Sequence, residues 1–135
     1  MANSIKRSRS PRRPKLDSAR ERRIYGDIIV DCYGPDEQAM GWYCYLELTL
    51  SFPFTARCVK VREVSPLAVG DEVEVTDMAK ETECNAEMFV KIAWGKRGLA
   101  VPLIQLQPSL HESNAATRQA VADWHYWVAQ GYQFC

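Results

Sequence analysis

The sequence predicts one α+β domain, with helices at both ends and a small antiparallel sheet between them. At 135 residues the chain fits a single domain, and its apolar fraction of 47% is enough to build a core. Apolar residues recur at helical spacing near both ends of the chain. The middle instead alternates over short segments that are separated by turn residues, which is typical of strands.

The first 23 residues differ in charge from the rest of the chain. They contain nine Lys or Arg and two acidic residues, a net charge of +7, and the remaining 112 residues carry −7. The stretch "MANSIKRSRSPRRPK" has one Ile and two Pro. Such a segment cannot bury enough apolar surface to offset the entropy of ordering it. We therefore predict a disordered basic tail over residues 1–16 and a single domain over residues 17–135.

This basic segment has two interpretations. Blocks of like basic charge are often interaction arms, so residues 1–23 are a candidate arm for nucleic acid or an acidic protein. Its contacts would be Arg7, Arg9, Arg12 and Arg13. The alternative is a solvated tail without a partner. Because the body carries −7, it should repel phosphate, and any nucleic acid would bind the arm.

The first helix is predicted from Asp17 through "ARERRIYGDIIVDCY". Ile24 and Ile28 fall at the spacing of one helix face, and Gly34 followed by Pro35 should end the helix.

The second helix is predicted to begin with Pro35 in its first turn. Asp36 and Glu37 then place negative charge at the positive end of the helix dipole. Its end is ambiguous, because "GWYCYLELTLSFPF" alternates like a strand from Leu46 and also has helical spacing. Pro53 cannot donate to a sheet ladder. We therefore continue the helix to about Leu50 and interpret "SFPF" as the corner into the sheet.

Four or five short strands are predicted after this corner. They correspond to "ARCVKVREV", "LAVGDEVEV", "EMFVKIAWG" and "GLAVPLIQL", and the "GKRG" between the last two is rich in turn residues. Together these segments resemble a small antiparallel SH3-like barrel or a curled sheet, a fold that carries many functions. A C-terminal helix follows, capped by Asn114, pinned by Trp124 and Trp127, and ended by Gly131.

Several function classes are disfavoured. No apolar run approaches the ~20 residues that a membrane span needs. Five cysteines without a C-x-x-C pair indicate reduced thiols and a cytoplasmic protein. His111 lies in a polar loop and His125 lies between aromatic residues, and the sequence has no nucleophile elbow, phosphate-binding glycine loop or H-E-x-x-H motif. We do not expect an enzyme.

The acidic residues of the body are better candidates for a site. Asp31 and Glu47 are predicted near the ends of the first two helices, where the dipole is unfavourable for a carboxylate. A bound cation would reverse that effect, and free carbonyls at a helix end are suitable oxygen ligands for Ca²⁺. The alternative is that each acid is exposed or paired with Lys or Arg.

A second acidic group lies in "TDMAKETEC", where Asp77, Glu81 and Glu83 occur within seven residues, with Glu87 just beyond. A flexible acidic loop can hold Ca²⁺, which accepts six to eight oxygens in loose geometry. A solvated loop explains the same pattern. The sequence has no EF-hand frame.

Several phrases resemble the small calcium-binding protein family first described in cyanobacteria, notably "MGWYCYLE" leading to "FPF", "SPLAVGDEVEVTDMA" and "DWHYW". The resemblance covers residues 23 to 134. It implies a non-enzymatic bacterial protein that buffers or sequesters cytosolic calcium. The implied ligands are Asp31, Asp36, Glu37, Glu47, Glu81 and Glu83. The family carries a further acid and an amide where this chain has Leu48 and Thr49, so a cation site at that helix end should be weaker.

Overall fold

The computed structural model describes residues 13–132 of the chain. Its helices are α1 (Ser18–Arg23), α2 (Pro35–Thr49) and α3 (Ala115–Ala129). Its strands are β1 (Phe54–Cys58), β2 (Glu72–Met78), β3 (Phe89–Trp94), β4 (Arg97–Pro102) and β5 (Leu106–Pro108). A π-helical turn (Ile24–Ile28) continues α1, and 3-10 turns occupy Glu81–Cys84 and Leu103–Gln105. The α+β prediction, with helices before and after a small antiparallel sheet, is confirmed.

The five strands form one antiparallel sheet in the order β4-β3-β2-β1-β5. Because β4 and β5 are the two edges, the sheet is open in the described residues and is not closed into a barrel. The buried faces of the strands pack against α2 and α3. Trp42 of α2 meets Trp124 and Trp127 of α3 with ring centroids 5.1 and 5.6 Å apart, and these three rings are almost fully buried.

The ambiguous segment after Gly41 is helical, as predicted. Leu46 is fully buried and Leu48 is 86% exposed, whereas a strand would place both on one face. The helix ends at Thr49, and Leu50 is already extended with φ −71° and ψ 129°. The chain then passes from the helix end into β1, which starts at Phe54, so the predicted corner lies between the two elements. The Phe52–Pro53 peptide is cis.

The prediction that the first helix continues to Gly34 is wrong. The helix widens into a π turn in which the Ile29 N–H donates to the Ile24 carbonyl, and it ends there. The β-branched run at residues 28–30 is a weak helix former. Asp31 then reverses the chain in the left-handed region, with φ 58°. Asp31 therefore lies in a turn and not at a helix end.

The first predicted strand is shorter than its alternating pattern. It ends at Cys58, and Val59, Val61 and Val64 of the following loop are exposed. Gln105, which is fully buried, holds this loop. Its Nε2 donates to the Lys60 carbonyl at 2.9 Å, and its Oε1 accepts from the Ser65 hydroxyl at 2.7 Å.

The ends of α3 agree with the prediction. The Asn114 side chain accepts from the Thr117 N–H at 2.8 Å and caps the first turn. Gly131 follows the helix with φ 87°, a conformation that favours glycine. Between residues 13 and 132, none of the helices combines the length and the apolar content that crossing a bilayer requires.

Candidate metal site

Two predicted ligands, Glu37 and Glu83, bind backbone groups. Glu37 Oε1 accepts from the Tyr33 N–H at 2.7 Å and from the Gly34 N–H at 3.3 Å. Glu83 Oε1 accepts from the Lys80 N–H at 3.2 Å. Each carboxylate satisfies donors at the start of its own helical turn, as in a capping box. Both residues therefore have a structural role, and their assignment as ligands stays a prediction.

Asp31 lies on a separate groove at the start of α2. Its Oδ1 accepts from the Tyr33 hydroxyl at 3.2 Å, and its side chain is exposed. Asp31, Asp36 and Glu37 line this open groove of about 410 Å³. The structure thus brings three predicted ligands to one surface, although two of the three carboxylates already accept hydrogen bonds.

A second groove joins the two acidic groups that the sequence had kept apart. It lies between the first turn of α2 and the 3-10 turn Glu81–Cys84, and its volume is about 160 Å³. Asp36 comes from one side and Glu81 from the other, and Thr82 and Asn85 add side-chain oxygens to the lining. No hydrogen bond or ion pair within residues 13–132 occupies the carboxylate of Asp36 or Glu81.

Three carboxylates lie near enough to the hydroxyl of Tyr43 to raise its pKa. This hydroxyl donates to the Ala79 carbonyl at 2.8 Å. Burial raises the pKa of Tyr43, and the charges of Glu47, Asp77 and Glu81 raise it further. Glu47 comes from the last turn of α2, Asp77 from β2 and Glu81 from the 3-10 turn. Glu81 therefore belongs both to this group and to the groove with Asp36.

Glu87 does not join this group. Arg62 Nη1 and Nη2 bind its two carboxylate oxygens at 3.0 and 2.6 Å, a bidentate ion pair that ties the loop after β1 to the loop before β3. Asp77 was considered with the loop acids but was not among the predicted ligands. A register shift between Val75 and Asp77 in the β2–β3 ladder accompanies its exposed position.

Sequence reasoning missed the acid with the most extensive contacts, Asp123 of α3. It has no exposed surface, and it accepts from Arg20 Nη1 at 2.9 Å and from Arg23 Nε and Nη2 at 2.8 Å each. The Tyr45 hydroxyl adds a longer contact of 3.4 Å. The only signal in the sequence was an Asp inside the apolar stripe "AVADWHYW", and that residue needed a partner.

These contacts change the interpretation of the basic segment. Arg20 and Arg23 were counted as part of the arm, and the structure uses both to attach α1 to α3. Arg13 lies beside Gly131, and the Pro14 carbonyl accepts from Gln130 at 2.7 Å. The other predicted arm contacts, Arg7, Arg9 and Arg12, and most of the predicted disordered tail lie outside the described residues.

We call the surface that carries Asp36, Glu47, Asp77 and Glu81 the acidic face, and its donor chemistry fits a hard cation. Its side chains offer carboxylate, amide and hydroxyl oxygens, and these are the ligands that Ca²⁺ prefers. Within residues 13–132, however, no three His, Cys, Asp or Glu side chains stand close enough together to hold a metal ion as they are. A bound ion would have to draw Glu47, Asp77 and Glu81 inward or complete its shell with carbonyls and water.

Comparison with known proteins agrees with this chemistry. The family model of the calcium-binding CcbP proteins matches residues 22–128. The chain belongs to this family. A crystal structure of CcbP from Anabaena is 38% identical, with a TM-score of 0.79 over 90% of this chain and 98% of that one.

A second CcbP-like structure, described as a calcium-binding protein in the calcium-binding form, is also 38% identical. It has a TM-score of 0.76 and covers 87% of this chain and 95% of that one. No curated protein sequence matches the chain significantly. The family match confirms the predicted resemblance. It spans all six predicted ligands and leaves out residues 1–21.

Proposed function

We propose that this CcbP family member binds Ca²⁺ on the acidic face formed by Asp36, Glu47, Asp77 and Glu81. The observation that carries the proposal is the groove that Asp36 and Glu81 line from opposite sides, where neither carboxylate has a hydrogen bond or ion pair in residues 13–132. The charges of Glu47 and Asp77, like that of Glu81, lie near enough to Tyr43 to raise its pKa. Glu47 lies in the last turn of α2, where the negative end of the helix dipole favours a cation. Glu81 is the central ligand, because it also faces Asp36 across the smaller groove.

The remaining predicted ligands, Asp31, Glu37 and Glu83, contribute less to calcium affinity in this proposal. Asp31 lies on the neighbouring groove, and Glu37 and Glu83 are engaged by backbone N–H groups. A carboxylate has two oxygens, so a capping Glu can still offer one to an ion. We nevertheless assign the larger effect on calcium affinity to Asp36, Glu47 and Glu81, which have no hydrogen-bond partner in the described residues. Asp77 already accepts from the Met78 N–H at 2.8 Å and would offer its second oxygen.

Two features support calcium over other metals. The donor set contains oxygens of loosely spaced side chains, which suits the large and flexible coordination shell of Ca²⁺ better than the strict octahedron of Mg²⁺. Zinc and copper sites use imidazole and thiolate, and those ligands are not paired on this face. Cys84 lines the smaller groove but is buried, and burial raises the pKa of its thiol.

We further propose that the protein buffers or sequesters calcium in the cytoplasm and has no catalytic activity. The two described histidines form no ion pair with a carboxylate: His111 is exposed in a loop, and His125 bonds the Leu103 carbonyl at 3.3 Å. Cys32, Cys44, Cys58 and Cys84 are free thiols, which supports a reducing compartment.

The test is a calorimetric calcium titration of the full chain and of two variants from one turn. Glu81→Gln removes a carboxylate that faces the site, and Glu83→Gln removes the capping carboxylate two residues away. We expect Glu81→Gln to weaken calcium binding at least about tenfold, the equivalent of 1.4 kcal/mol. Glu83→Gln keeps an amide oxygen that can accept from the Lys80 N–H, so it should leave the melting temperature close to that of the wild type. It should also leave the calcium dissociation constant within about threefold, less than 1 kcal/mol.

A thermal scan gives an independent measurement. A ligand present at 100 times its dissociation constant stabilises the folded state by about 2.7 kcal/mol, so calcium should raise the melting temperature. The absence of both heat and thermal shift at millimolar calcium would reject calcium binding. Equal affinity in the wild type and in Glu81→Gln, with binding intact, would reject only the location of the site.

A further inference from the structure

A groove between α3 and the edge strand β5 shares no lining residue with the two grooves at the start of α2. Its volume is about 670 Å³. One wall is a stripe of α3 from Arg118 to Ala129, a length of about 16 Å at 1.5 Å per residue. The other wall is β5 with the loop that follows it, and Val59 closes one side.

The floor of this groove is formed by buried apolar side chains, and exposed apolar side chains form its borders. Leu106 and Val121 are buried beneath it, whereas Leu110 is 74% exposed and Val59 is 40% exposed on its borders. Exposed apolar surface rimmed by polar residues is typical of a binding site. His125 contributes a neutral ring to the floor, because burial lowers the pKa of its imidazole below the ordinary value.

The charge of the groove is positive at one end. Arg118 lines it, and its Nη1 donates to the backbone carbonyls of Leu110 and Ser113. No carboxylate in residues 13–132 forms an ion pair with Arg118. Arg20 also lines the groove, but Asp123 and Asp17 compensate its charge. The lining has no Asp or Glu of its own, so one cation remains beside an apolar floor.

We propose that this groove binds a small amphipathic anion, a medium-chain carboxylate whose head meets Arg118 and whose chain lies along α3. The volume falls within the roughly 300–1,000 Å³ of small-molecule sites. The N-terminal arm is a poor occupant, because residues 1–12 carry four basic side chains and no acidic one. A peptide strand added to β5 would meet Pro108, which has no N–H to donate.

The experiment uses the full chain and dodecanoate as the ligand, measured by calorimetry and by displacement of the fluorescent anion anilinonaphthalene sulfonate. Saturating chelator is present, so the result does not depend on calcium binding. Ala122→Trp places a ring in the groove, and Arg118→Gln removes the charge. Gln119→Trp is the matched control, since Gln119 is exposed on the same helix and does not line the groove.

We expect dodecanoate to bind the wild type and Gln119→Trp equally, to lose binding in Ala122→Trp, and to bind Arg118→Gln about tenfold more weakly. A tenfold loss is equivalent to about 1.4 kcal/mol and reflects the missing charge-assisted hydrogen bond to the carboxylate head. Circular dichroism and melting temperatures identify any variant that does not fold. In that case dodecylamine, a cation with the same chain, replaces Arg118→Gln as the test of charge and should bind the wild type at least about tenfold more weakly.

Three results would overturn the proposal. The first is no binding of dodecanoate to the wild type up to its solubility limit. The second is binding that survives Ala122→Trp, which would place the ligand elsewhere. The third is dodecylamine binding as tightly as dodecanoate, which would show an apolar surface without anion selectivity.

Discussion

Asp123 is a carboxylate without solvent contact. It accepts three N–H hydrogen bonds from Arg20 and Arg23. Removing a buried charge from water is unfavourable, and only close pairing and hydrogen bonds offset that effect. The pairing attaches the short helix α1, whose own residues are not buried, to α3. Asp123 therefore determines where the N-terminal helix docks.

Replacing Asp123 with Asn should destabilise the fold by about 3 kcal/mol, the usual effect of breaking a buried ion pair. The two guanidinium groups would lose their counter-charge, and α1 would lose its main polar attachment. Urea unfolding followed by tryptophan fluorescence measures the change. Glu112→Gln, an exposed acid in the loop before α3, is the control and should stay within about 0.5 kcal/mol of the wild type.

His125 should make the stability depend on pH. Burial lowers the pKa of its ring and the charge of Lys60 lowers it further, although hydrogen bonds to the Leu103 and Leu106 carbonyls oppose that shift. The unfolded chain, with an ordinary pKa of about 6.5, then takes up the proton more readily than the folded chain. The free energy of unfolding should therefore fall as the pH decreases through about 6.5.

Urea unfolding between pH 7.5 and 5.5 measures this slope. His125→Gln retains a hydrogen-bond donor and cannot be protonated, so its unfolding free energy should vary less with pH over that range. His111→Gln, at the exposed histidine, should retain the wild-type slope. Equal slopes in all three proteins would show that His125 is not the group that titrates.

At the scale of elements, the junction between the π turn and α2 depends on one close approach. A Cβ atom placed on Gly41 would lie 2.7 Å from the Ile28 carbonyl oxygen, a backbone atom that cannot rotate away. It would also lie 3.3 Å from the Cys32 sulfur. Gly41 therefore allows α2 to pack directly against the end of the first helical segment.

Gly41→Ala should destabilise the protein by about 1–3 kcal/mol, the usual effect of overpacking, although alanine is the better helix former. Gly26→Ala is the matched control, because a Cβ at Gly26 meets nothing within 4 Å. That change should be neutral or stabilising by up to about 1 kcal/mol. Thermal and urea unfolding of the two variants decide the matter, and equal stabilities would contradict the close approach.

These elements show how far the sequence predicts the fold. The boundaries of α2 and α3 could be derived, because Pro35, Asn114 and Gly131 act through local backbone preferences. The end of the first helix was predicted too late: the β-branched run at residues 28–30 disfavours a longer helix, and the Ile28 carbonyl lies against Gly41 of α2. Local signals gave no account of that tertiary contact.

The candidate site was predictable in composition and not in arrangement. The sequence identifies Glu47 and Glu81 as candidate ligands, and in the structure the charges of both raise the pKa of Tyr43. It could not distinguish Glu81 from Glu83, because the capping contact of Glu83 with Lys80 depends on a 3-10 turn. It also missed Asp123, whose partners lie about 100 residues away in the chain.

At the scale of the whole molecule, the charges are separated although their sum is zero. Residues 1–23 carry +7 and the remainder carries −7. Within the fold, Asp123 compensates the charges of Arg20 and Arg23. The four basic residues of positions 1–12 precede Arg13, where the described part of the chain begins. Twelve residues can span at most about 40 Å, which is comparable with the diameter of a domain of this size. The length of this arm therefore permits its charges to act on calcium binding, which salt-dependent titration can test.

Neutralising the arm should strengthen calcium binding at low salt. Replacing Lys6, Arg7, Arg9 and Arg12 with Gln changes the net charge of the full chain from 0 to −4. A more negative protein raises the local concentration of Ca²⁺, so the dissociation constant should fall a few-fold at 20 mM salt. At about 500 mM salt the Debye length is near 4 Å, and the difference in calcium affinity should disappear.

The control replaces Ser4, Ser8 and Ser10 together with Ala, which alters the same segment without altering its charge. Calorimetry at both salt concentrations measures the effect, and equal affinities at low salt would show that the arm and the acidic face act independently.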